Sequence, residues 1–148
     1  MNSEQVGVEL YRNRMVHHGA VDGVTGSCHQ LFWNGQRSIL IDCGLFQGAE
    51  VAPDGSHFDQ MKIDFPVEQI DALVVTHVHI DHVGRIPYLL AAGFSGPVYC
   101  SEPSAKLLPL VLEDALKIGF TRNQQLIERF LKQIKQQIQQ IGRASCRE

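Results

Sequence analysis

The chain has 148 residues, 44% of them hydrophobic and 20% charged, with a formal net charge of −3. Those figures are ordinary for one globular domain and allow an enzyme. They exclude a basic footprint for a phosphate-rich partner, so positive charge for such a partner has to come from bound ions or from another domain.

Residues 1–13 carry a weak alternation through Val6, Val8 and Leu10 and read as an N-terminal extension or an edge strand, with the domain proper expected over 14–140. A first strand is expected from Met15 to Ala20, followed by the glycine-rich loop Gly19 to Ser27, in which Thr25 and Ser27 border the later site without serving as ligands. A second strand runs from Cys28 to Trp33. Asn34-Gly35 then supplies a hairpin turn, because both residues tolerate positive φ, and leads into a strand from Ser38 to Cys43. Asp42 closes that strand, where it either bonds its own turn or orients something beyond it.

His17 and His18 are adjacent on a strand and face opposite ways, and His29 lies within the next strand, so all three read as packing or surface residues. His57, in the polar connection from Ala52 to Asp64, reads as solvated. Pro66 to Ile70 is expected to form a short helical turn. Ala72 to Val75 is apolar on both faces and belongs inside a sheet.

That buried strand delivers Thr76-His77-Val78-His79-Ile80-Asp81-His82, in which three histidines and an aspartate occupy six positions. On extended backbone His77 and His79 point the same way and can grip one ion. If the chain turns helical after Ile80, Asp81 and His82 leave the strand axis and can serve a second ion. Imidazole nitrogen with carboxylate oxygen suits zinc, with manganese or iron as alternatives.

Further on, Ile86 to Ala92 reads as a helix stopped by Gly93, and Pro97 to Cys100 as a strand. Glu102-Pro103 opens a longer helix with Leu107, Leu108, Val111, Leu112, Ala115, Leu116 and Ile118 on its period and a kink expected at Pro109. Glu113 and Asp114 on it read as a solvated or ion-paired face. From Asn123 to Gln140 an apolar stripe of Leu126, Ile127, Phe130, Leu131, Ile134 and Ile138 defines an amphipathic helix. Arg122, Arg129, Lys132 and Lys135 form its solvent face and not a nucleic-acid patch.

The pattern H-x-H-x-D-H at His77 to His82 resembles the signature of the metallo-β-lactamase fold. Val83-Gly84-Arg85-Ile86-Pro87-Tyr88-Leu89-Leu90, Gly93-Phe94, Gly96-Pro97-Val98-Tyr99 and Leu112-Glu113-Asp114-Ala115 resemble its β-CASP branch, whose members are mostly RNA-processing nucleases. The glycine-rich loop is similar to that branch's N-terminal pattern, and Asp42 matches its first motif.

The resemblance implies an α/β fold comprising the first half of an αββα sandwich, truncated. It also implies two zinc ions, with His77, His79, Asp81 and His82 as metal ligands. Asp81 would orient the attacking water and Asp42 would brace the ligands, and RNA is the expected partner of the intact protein. The branch's later histidine, its bridging aspartate and its inserted domain have no counterpart here, and no histidine follows His82. The expectation for the chain alone is an inactive fragment with weak metal affinity and an exposed apolar sheet face. The alternatives are a thioester or lactam metallohydrolase of the same fold, or a non-catalytic scaffold.

The final octapeptide Ile141 to Glu148 resembles a translated sequencing adapter and is expected to be an artefactual tail over 141–148. Cys28, Cys43, Cys100 and Cys146 show no C-x-x-C spacing, which suits reduced thiols. No apolar stretch is long enough to span a membrane and the start lacks a signal-peptide layout, so no membrane partner and a cytoplasmic location are expected. Oligomeric state is left open.

Overall fold

The computed structural model describes residues 13–47 and 61–142. The expectations for residues 1–12, His57 and the tail from residue 143 fall outside them.

Six strands form one mixed sheet in the order β1 (Arg14–His17), β2 (His29–Trp33), β3 (Arg37–Ile41), β4 (Ile70–Val74), β5 (Val98–Ser101) and β6 (Ile138–Ile141). The first two pairings are antiparallel and the remaining three parallel. Asn34 (φ 53°) and Gly35 (φ 79°) make the β2–β3 turn, as their tolerance of left-handed backbone requires. The apolar β4 lies centrally between β3 and β5. The register brings the C-terminal ends of β3 and β4 side by side, with Ile41 opposite Val74. Asp42 and the histidine motif therefore leave the sheet at neighbouring points, the usual place for a site in a parallel sheet.

The helices are α1 (Ile80–Val83), α2 (Ile86–Ala91), α3 (Glu102–Ala115) and α4 (Gln124–Gln137), with a π-helical turn over Leu116–Phe120 between the last two. One continuous core joins Leu40, Leu73, Val75, Val98 and Cys100 of the sheet region to Val83, Ile86, Leu89, Leu108, Leu112 and Ile134 from the helices. The opposite sheet face carries Met15, Leu31, Ile39, Ile41, Val74 and Tyr99 in half-buried or exposed positions. That row is the apolar face expected of half a sandwich.

Several boundaries differ from the sequence reading. Residues 67–70 close a single turn through the bond from Ile70 N to Val67 O at 3.1 Å, in the place where the sequence reading puts one, but Ile70 itself already opens β4 and its side chain belongs to the core. Helix α3 does run on through Pro109, as the sequence reading has it, but ends at Ala115. Ile118 and Leu107, read as core, are 88% and 48% exposed, since the π-helical turn shifts the period after Ala115 and Leu107 lies on the solvent side. The amphipathic helix stops at Gln137, and Ile138–Ile141 leaves it to pair with β5. Ile141, the first residue of the octapeptide, lies opposite Ser101 in that pairing.

Candidate metal centre

The site is built where the loop after β3 meets α1. Asp42 adopts a left-handed backbone (φ 60°) and is 2% exposed. Burial of a carboxylate is costly without hydrogen-bond donors, and here they are supplied. The Thr76 amide donates to Oδ1 at 2.8 Å, the Thr76 hydroxyl to Oδ2 at 2.7 Å, and His82 Nδ1 to Oδ2 at 2.7 Å. The Ser27 hydroxyl adds a longer bond of 3.5 Å.

The backbone explains why these elements meet. Cys43 N donates to His82 O, Leu45 N to Ile80 O, and Ser27 N to Asp81 O. Gly44 lies against the same helix, and a Cβ there would fall 1.6 Å from the Asp81 carbonyl oxygen. Only a glycine permits that approach.

The four sequence-predicted donors come together as one cluster. The His77 ring lies 4.7 Å from that of His79 and 4.0 Å from that of His82, and His82 Nε2 is 3.6 Å from Asp81 Oδ2. His79 is exposed, while His77, Asp81 and His82 are half-buried. Among the described residues no three His, Cys, Asp or Glu side chains are set to hold a single ion between them. The fit is nonetheless good in chemistry. The donors are the nitrogen and oxygen types that zinc takes, and His82 has its Nδ1 on a buried carboxylate, leaving Nε2 for an ion, as metal-ligating histidines do.

Sequence reasoning missed three supporting residues. Thr76 gives Asp42 two hydrogen bonds; its only signal was its place at the strand end before the motif. Gly44 is required by the close approach to α1. Arg85, 3% exposed, donates through Nε to the Gly44 carbonyl and lies over the Phe46 ring at 4.7 Å, which fixes the same loop from below. Conversely, Glu113 is paired with Lys117 at 3.0 Å and takes no part. His18 stacks on Phe65 at 3.8 Å and bonds Gln30, so it packs, as expected.

Residues 28–142 match the model of the metallo-beta-lactamase superfamily. The chain belongs to that superfamily. Ribonuclease TTHA0252 of Thermus thermophilus is 46% identical over 105 residues, covering 71% of this chain and 23% of the relative. Transcription termination factor FttA of Methanococcus maripaludis is 45% identical over 80 residues, covering 54% of this chain and 12% of the relative. Cleavage and polyadenylation specificity factor subunit 3-II of Arabidopsis thaliana is 34% identical over 110 residues, covering 70% of this chain and 17% of the relative. These relatives are β-CASP members of the metallo-beta-lactamase superfamily, as the sequence resemblance anticipates. The chain spans less than a quarter of the length of each. Among the described residues no helix is long and apolar enough to cross a membrane.

Proposed function

We propose that this chain carries the first ligand motif of a zinc-dependent β-CASP hydrolase that cuts RNA phosphodiester bonds in the intact protein. The observation that carries the reading is the contact of His82 Nδ1 with the buried Asp42 carboxylate at 2.7 Å. It holds the imidazole in one tautomer and one orientation, which is what a ligand needs and a surface histidine does not. His77, His79, Asp81 and His82 are the proposed metal ligands. Zinc at such a site supplies positive charge to phosphoryl oxygens and lowers the pKa of water toward neutrality.

The chain's own residues do the positioning. Thr76 and His82 hold Asp42, and Asp42 in turn fixes His82. Asp81, whose backbone carbonyl is held by the Ser27 amide, is proposed to orient water at the site through its carboxylate. The names of the relatives support RNA over a thioester or lactam as substrate. The described cysteines, Cys28, Cys43 and Cys100, are all free and buried, which supports a reducing, cytoplasmic setting.

The test is cleavage of an end-labelled RNA, beside DNA of the same sequence, by the full-length protein with and without His77→Ala/His79→Ala. RNA cutting that the double variant abolishes is expected. Cutting of DNA alone would remove the substrate assignment, and undiminished cutting by the variant would remove the site. Residues 1–148 by themselves are expected to show no turnover, since among the described residues no three His, Cys, Asp or Glu side chains are set around one ion.

A further inference from the structure

A second histidine cluster lies outside the motif. His17 ends β1, His29 opens β2, and the two are direct register partners across the antiparallel pair. Their Nδ1 atoms are 2.7 Å apart and their rings meet edge to face, with centroids at 4.9 Å. The contact needs one imidazole to present a lone pair toward the other's proton. The same two nitrogens, brought together from neighbouring strands, become a chelating pair once each turns its lone pair toward a common ion. On a tetrahedral ion with metal–nitrogen bonds of about 2.0–2.1 Å, two ligand nitrogens stand about 3.3 Å apart. The pair has only to open by about half an ångström, and His17 is exposed enough to turn.

The surroundings favour a cation. A cavity of about 600 Å³ opens on His17 and His18 and is bordered by Asp22 and Asp64, with no Lys or Arg among its described lining residues. It gives an ion a route to His17 through a cavity that two carboxylates border. Along the sheet, His29 pairs with Ile41, the residue before Asp42. The pair therefore lies at the same sheet end as the motif, with His29 two strands and His17 three strands out from β4.

We propose that His17 and His29 form a separate two-histidine site for a divalent transition-metal ion of the zinc and copper class, with water completing its coordination. Imidazole pairs favour such ions over magnesium or calcium. The inference is independent of the nuclease reading, because neither residue belongs to the motif.

The experiment uses Cu²⁺ as the probe on the 148-residue chain carrying His77→Ala/His79→Ala. Electron paramagnetic resonance is expected to report one bound ion with two equatorial nitrogens, and adding His17→Gln is expected to abolish that signal. In case the double variant does not fold, Zn²⁺ titration of the otherwise native chain with and without His17→Gln gives a second readout, with loss of one bound equivalent expected. Absence of a two-nitrogen signal in a folded double variant, or binding that His17→Gln leaves unchanged, would overturn the proposal.

Discussion

Asp42 and His82, forty residues apart in sequence, are joined by a 2.7 Å hydrogen bond between Oδ2 and Nδ1. Asp42 stands at the end of a hairpin strand and His82 in a one-turn helix, so the bond ties the sheet to the motif.

Replacing Asp42 by Asn should weaken metal binding more than folding. The amide preserves size but loses the charge that orients His82, and outer partners of metal-ligating histidines are typically worth about 10–100-fold in affinity. Zinc affinity of the full-length protein, read by competition with a chromophoric chelator, should fall within that range. Asp42→Ala should in addition lower the urea midpoint, since the Thr76 amide and hydroxyl lose their acceptor, at a cost of about 1–3 kcal/mol.

Gly44→Ala and Gly35→Ala separate two reasons for a glycine. At Gly44 the added methyl meets the Asp81 carbonyl oxygen at 1.6 Å, so the loop and α1 must part. At Gly35 nothing lies within 4 Å and only the positive φ of 79° is opposed. Thermal melts should show a loss of about 1 kcal/mol for Gly35→Ala and more than about 2 kcal/mol for Gly44→Ala. Reduced zinc affinity should accompany only the second.

His29 gives the fold a pH dependence in metal-free buffer. Burial, then the neighbouring His17, lowers its pKa from 6.5. Below that value the unfolded chain binds a proton that the folded chain resists, so stability rises with pH across this window. The contribution is present above pH 6.5 and is lost as pH falls through the lower folded-state value. Thermal midpoints in chelator should therefore drop on going from about pH 8 to about pH 5, and His29→Gln should flatten the slope; a slope unchanged in that variant would assign it to another group.

Ile134→Ala tests how α4 is held. Ile134 is 1% exposed and belongs to the main core cluster. Its truncation should cost about 2–5 kcal/mol in denaturant unfolding. Ile118→Ala, at an 88% exposed position, should change stability by less than about 0.5 kcal/mol.

The hairpin at Asn34-Gly35, the interior placement of β4, the turn into a helix after Ile80 and the stop at Gly93 were all legible in the chain. Each rests on a local cause: a φ requirement, an apolar run or a change of period. The boundaries at Ile70 and Gln137 were not, because pairing with a neighbouring strand decided them against local helical preference. The exposure of Ile118 was hidden for a related reason, since a π-helical turn resets the period and leaves no mark in composition.

By itself the sequence determined which donors are present at His77, His79, Asp81 and His82, and which family signature they make. Tertiary structure decided what holds them. Thr76, Gly44 and Arg85 matter through contacts with Asp42, the Asp81 carbonyl and the Gly44 carbonyl respectively. The His17–His29 pair likewise exists only because β1 and β2 align in one register. Ligand chemistry is carried by residue type and can be read one position at a time, whereas orientation and close approach arise between segments that only the folded sheet brings together.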